Sequence, residues 1–170
     1  MKRFPLSKTL PAALMAVLAL GLSACGFTPL YGPQTVTKGL SSIEVVAPPG
    51  RAGYLLREKL DDAFARDATI LPTHRLVYVV SEQRYARGVR VDNVANRYEL
   101  NLTASWRLMD SKTGQAVKSG TTSAAVTYDS ADQPYASIAA QQESQERAAT
   151  ELARRIQLEL AAWLAGSAKS

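Results

Sequence analysis

Between Tyr98 and Met109 the chain alternates without a break. Tyr98, Leu100, Leu102, Ala104, Trp106 and Leu108 fall on one side, and Glu99, Asn101, Thr103, Ser105 and Arg107 on the other. Successive side chains of a strand point to opposite faces, so this is a strand with one buried and one wet face. Such a strand demands a sheet whose apolar side is covered, and two amphipathic segments are available for that. Residues 53–67 place Leu56, Leu60, Ala63 and Phe64 at helical spacing. A second helix opens with Asp132 as N-cap and an early Pro134. It continues through Ile138, Gln142, Gln145, Ala149, Leu152, Ile156, Leu160 and Trp163/Leu164; its first half is polar, so packing should be firmest from Ala148 on.

Further strands are predicted on either side. Ile43–Ala47 is a short one, stopped by Pro48-Pro49-Gly50, and Leu76–Val80 is β-branched and aromatic. Asp110-Ser111-Lys112-Thr113-Gly114 reads as a hairpin turn in which Gly supplies positive φ, leading into a Thr/Val/Ser-rich strand over 115–128. The predicted fold class is α+β: two helices packed on one face of a four-stranded, mostly antiparallel sheet, in the order β-α-β-β-β-α.

The N-terminal 24 residues belong to a different regime. Lys2, Arg3 and Lys8 precede an uncharged run from Leu10 to Leu22, and no Asp or Glu occurs before Glu44. A run of 13 residues spans about 20 Å as a helix, short of the roughly 30 Å hydrocarbon core, so it is an export signal rather than a span. It ends in Leu22-Ser23-Ala24-Cys25, a lipobox, where small residues admit a peptidase and the thiol receives diacylglycerol. Cys25 is then consumed as a thioether, and the covalent diacylglycerol and N-acyl lipid are the only attached groups expected; no metal or other cofactor is. Gly26 in place of Asp favours the periplasmic side of the outer membrane. Gly26–Ser42 is rich in Gly, Pro, Ser and Thr and reads as an irregular tether, with Phe27, Leu30 and Tyr31 resting either on the domain or near lipid. The organisation is therefore signal peptide 1–24, lipidated Cys25 and tether 25–42, one α+β domain 43–166 and a disordered tail 167–170.

Removing the signal leaves 17 basic against 15 acidic residues, so the net charge of +5 falls to +2 and nucleic-acid binding loses its support. One Cys and one His cannot build a structural zinc site. There is no Gly-rich phosphate loop and no GxSxG. His74 follows Pro72 in a turn, and Asp61-Asp62 are neighbours on a helix whose side chains diverge by about 100°. An enzyme is not expected. One cluster stands out: Arg84, Arg87, Arg90 and Arg97 are interleaved with Tyr85, Val89, Val91 and Val94 and include a single carboxylate, Asp92. This is a cationic, amphipathic hairpin that is either a solvated tip or a contact for an anionic amphiphile or protein partner.

The stretch Leu22-Ser23-Ala24-Cys25-Gly26-Phe27-Thr28-Pro29-Leu30-Tyr31-Gly32 resembles the start of mature LptE, the lipopolysaccharide-assembly lipoprotein, in its alphaproteobacterial form. The likeness continues through the Leu55/Leu56/Leu60 helix, the alternating strand, Gly114, Tyr128 and the Tyr135-Ala136…Ala148…Leu152-Ala153…Ile156…Leu160 helix. The resemblance implies a partner, the LptD β-barrel, whose assembly it assists, and contact with lipopolysaccharide on its way to the outer leaflet. The arginine hairpin is the counterpart of the family's basic contact region by location only. The competing class is another outer-membrane lipoprotein, an accessory of general β-barrel assembly or a structural envelope protein. A lipid hydrolase ranks third, for want of a nucleophile–base pair.

Overall fold

A computed structural model of the chain describes residues 34–89, 95–130 and 133–167. Signal peptide, Cys25, Arg90, Asp132 and residues 168–170 of the tail lie outside the described residues. The elements are α1 (Gln34–Ser41), β1 (Ile43–Val46), α2 (Arg51–Ala63), β2 (His74–Val89), β3 (Ala95–Asp110), β4 (Ala116–Asp129) and α3 (Pro134–Ser167). The strands lie in sequence order, β1-β2-β3-β4. β1 runs parallel to the first four residues of β2, whereas β2–β3 and β3–β4 are antiparallel, so the sheet is mixed. The α+β order is as expected, with one helix more.

Over Gln34–Ser41 that helix corrects the reading of the tether as irregular, while residues 26–33 lie outside the described residues. Val36 and Leu40 lie one turn apart on one face of α1 and are buried at 1% and 3% exposure. Gly39 packs beneath Leu164 of α3, whose methyls lie 3.0 and 3.2 Å from where a Cβ would sit. With a single apolar pair in a Gly/Pro/Ser/Thr-rich background, the period is too short to read, and burial against α3 decides the conformation. A second correction concerns β2. The β-branched run 76–80 is only its core; the strand continues to Val89, so Arg84 and Arg87 are strand residues and Arg97 is in β3. Ladder pairing with β3 extends β2 past the point where its own propensity ends.

The alternation of β3 sets everything else. Tyr98 is half-buried, and Leu100, Leu102, Ala104, Trp106 and Leu108 are buried. They share that face with Leu76 and Tyr78 of β2 and Ala124 and Tyr128 of β4. Leu55, Leu56, Leu60 and Phe64 from α2 and its C-terminal end close over it, together with α3. The buried face of α3 is Ser144, Ala148, Ala149, Leu152, Ala153, Ile156, Leu160 and Ala161, firmest from Ala148 as expected; its alanines let the helix lie close to its neighbours. Trp106 is seated by two contacts, the second of them held in turn by α3. Gly120 opposes it across the ladder, and a Cβ there would fall 2.5 Å from its ring; its Nε1 donates to Thr122 Oγ1 at 2.9 Å, and Thr122 donates to Glu159 at 2.8 Å. Gly114 has φ 68°, the left-handed conformation expected of the turn.

Candidate interaction face

Among the described residues, no helix lies on the opposite face of the sheet. Its floor is built from the residues one step out of phase with the core: Ser81, Gln83 and Tyr85 on β2, Glu99, Asn101, Thr103 and Ser105 on β3, and Thr121, Ser123 and Thr127 on β4. Most are exposed and most carry a hydroxyl or amide. Asn101 Oδ1 is the exception, buried between its neighbours without a hydrogen-bond partner.

The sequence-selected arginines are divided between the two faces. Arg84 pairs with Leu100 in the ladder and so points to the helix side, where Nη1 donates to Gln141 Oε1 at 3.1 Å and the guanidinium lies 5.0 Å over the Tyr98 ring. Tyr98 stacks in turn on Tyr128, centroids 5.6 Å apart. Arg87 and Arg97 are on the open face. Arg87 grips Glu99 with two bonds of 2.9 and 3.0 Å, and Arg97 donates to Asp129 at 2.8 Å. The Glu99 carboxylate raises the Arg87 pKa further, and the Arg97 hydrogen bond holds Asp129 below the usual carboxylate range. The end of the face near the hairpin tip is therefore a ladder of compensated pairs, and Arg84, Arg87 and Arg97 do not converge on one anion.

Reading the sequence for clustered cations passed over an isolated one, Arg107. It lies at the other end of the open face, in a shallow concavity of about 540 Å³ with Val77, Val79, Ser105, Ser119 and Thr121. The concavity arises because small side chains on β3 and β4 leave the backbone of Trp106 and Gly120 as a floor. The alternation had placed Arg107 on the wet face; that no acidic residue adjoins it could be read only from the register.

His74 is not in a turn but opens β2. Its Nδ1 is 2.9 Å from Thr73 Oγ1, which meets Ser42 Oγ at 2.7 Å, and its ring meets Trp163 edge-on. The cluster fastens the end of α1 to β2 and α3. Asp61 is engaged by Arg57 at 3.4 Å. Among the described residues no group of three or more His, Cys, Asp or Glu could hold a metal ion, and no helix is long and apolar enough to cross a membrane.

A family model described as lipopolysaccharide-assembly, LptE, matches residues 40–160. Among solved structures, a Caulobacter crescentus protein described as a lipoprotein is 62% identical, with a TM-score of 0.69, covering 78% of this chain and 96% of its own. Lipoprotein B of Nitrosomonas europaea is 13% identical with a TM-score of 0.55, covering 72% of this chain and 83% of its own, a likeness of fold alone. None of the curated proteins compared with the chain matches it.

Proposed function

Because the chain belongs to the LptE family of lipopolysaccharide assembly and is an LptE-like lipoprotein, we propose that it is the lipid-anchored partner of an LptD-type β-barrel. In this reading Cys25 carries the acyl chains, the protein sits on the periplasmic side of the outer membrane, and it assists both barrel assembly and the insertion of lipopolysaccharide into the outer leaflet. The observation that supports it best is the uncovered sheet face. A face of hydroxyls, amides and compensated ion pairs suits a wet, hydrogen-bonding surface such as a barrel interior better than lipid. The family supplies no catalytic role, and the proposed action is by binding. The arginines Arg84, Arg87, Arg90 and Arg97 are assigned to partner or lipopolysaccharide contact. Since Arg87 and Arg97 already hold carboxylates, they present mixed charge and favour a protein surface.

The full chain, captured from detergent-solubilised outer membrane, should bring down one large barrel protein in equal amount. Recovery of a multi-component machine would transfer the chain to general barrel assembly. Exchanging Arg84, Arg87 and Arg97 together for Gln should reduce barrel recovery; unchanged recovery of both barrel and lipopolysaccharide would remove these residues from the contact.

A further inference from the structure

Among its described residues the open face carries four arginines, and three have a carboxylate: Arg75 holds Glu44 at 2.9 Å, Arg87 holds Glu99 at 2.9 Å and Arg97 holds Asp129 at 2.8 Å. The three carboxylates of that face are thereby taken. Arg107 is left over. Its cross-strand neighbours are Val77 on β2 and Ser119 on β4, and its same-face neighbours along β3 are Ser105 and Met109. We propose that the Arg107 concavity binds the phosphate-bearing head of an anionic amphiphile. The proposal rests on the family reading only for the class of amphiphile, a phosphorylated glycolipid; the site itself follows from the geometry.

Three features carry it. First, a guanidinium presents a planar fork that matches phosphate oxygens, and Arg107 can offer it without giving up an existing pair. At Arg87 or Arg97 a phosphate must first displace a carboxylate. Second, hydroxyl residues line the concavity with Arg107: Ser119 directly opposite in the ladder, Ser105 two residues away, and Thr121 opposite Ser105. Ser105 and Thr121 share one weak bond of 3.3 Å, so both keep further hydrogen-bonding capacity for an oxyanion or a sugar hydroxyl. Third, the β2 wall is apolar. Val77 and Val79 line the concavity, and Val79 is 65% exposed on a face that is mostly polar. A cation, a set of hydroxyls and an apolar wall are the three chemistries a phosphorylated amphiphile needs, and the volume of about 540 Å³ falls within the range of small-molecule sites.

The test uses the full chain in nonionic micelles. A single-chain phosphomonoester lipid is doped into those micelles, then the neutral alcohol of the same chain length, and inorganic phosphate is titrated separately. The phosphorylated lipid should bind, shifting the amide resonances of Ser105, Arg107, Ser119 and Thr121, and Arg107→Gln should weaken it at least about tenfold. Ser119→Asp, which sets a carboxylate opposite Arg107 as Asp129 is set opposite Arg97, should do the same by a different route and stands in should Arg107→Gln fail to fold. Arg57→Gln, on α2, should bind as the parent does. Retention of affinity within about twofold in both site variants would overturn the proposal. So would equal binding of the neutral alcohol, which makes the site merely apolar, or of inorganic phosphate, which makes it merely anionic. Capture of the barrel partner is scored on the same Arg107→Gln protein. Loss of lipid with the barrel retained supports the site, whereas failure of the parent chain to capture a barrel overturns the proposed function and leaves the lipid titration standing.

Discussion

On the helix-covered side of β3 lie Leu100, Leu102, Ala104, Trp106 and Leu108, all at 2% exposure or less; one residue out of phase lie Glu99, Asn101, Thr103, Ser105 and Arg107, the last two exposed. The same backbone serves both. The covered side is close-packed, so each of its side chains is constrained by volume and by the position of α2 and α3. The open side is constrained mainly by charge pairing, and it is there that the sheet departs from balance, at Arg107. Stability is thus concentrated on one face, which frees the other for contact with partners.

The largest effect is expected at Trp106. Replacement by Ala empties the largest fully buried side chain of the domain and removes the donor that anchors Thr122, and should cost about 3–5 kcal/mol. Chemical denaturation measures this, and a loss well below that range would mean the face is not the principal core. A much smaller effect is expected across the ladder. Arg87→Gln removes the bidentate pair with Glu99, but both side chains are partly solvated, so the melting midpoint should move by no more than about 2 °C. A larger drop would show that the open face also supports the fold, and the division of labour would fail.

The smallest effect is expected at the sheet edge. Glu151 on α3 accepts from Arg154 and Arg155, which lowers its pKa to about 2 from an ordinary 4.5; Arg155 also donates to the Ser123 carbonyl of β4 at 2.7 Å. Because the folded value lies below the unfolded one, the contribution is complete above about pH 4.5 and disappears as pH falls through 2. Carboxyl resonances followed through an acid titration should place the Glu151 midpoint near 2, and the double change Arg154→Gln/Arg155→Gln should return it towards 4.5. A midpoint already at 4.5 in the parent would show that the arginines do not hold this edge.

The alternation of 98–109 was legible because its period is local and its two residue sets are chemically distinct. The stripe of α2 and the firm second half of α3 were legible for the same reason, as was Gly114, whose positive φ depends on its turn alone. Val36 and Leu40 were not, because two apolar residues in eight give no period. The arginine hairpin was visible as composition, but composition does not say which of Arg84 and Arg87 faces a helix, nor that Glu99 and Asp129 stand opposite their partners. The isolated Arg107 carried no signal as a single residue.

The α+β order, the buried side of β3 and the family to which the chain belongs each follow from residue type and short spacing, and so from the sequence alone. Tertiary structure alone decided that α1 exists, that β1 joins β2 in parallel, and which of the open-face arginines keeps its charge uncompensated. Helix docking and ion pairing join residues far apart in the chain, Gly39 with Leu164 and Arg97 with Asp129 among them. Their free energy depends on distances of a few ångströms that only the folded register fixes.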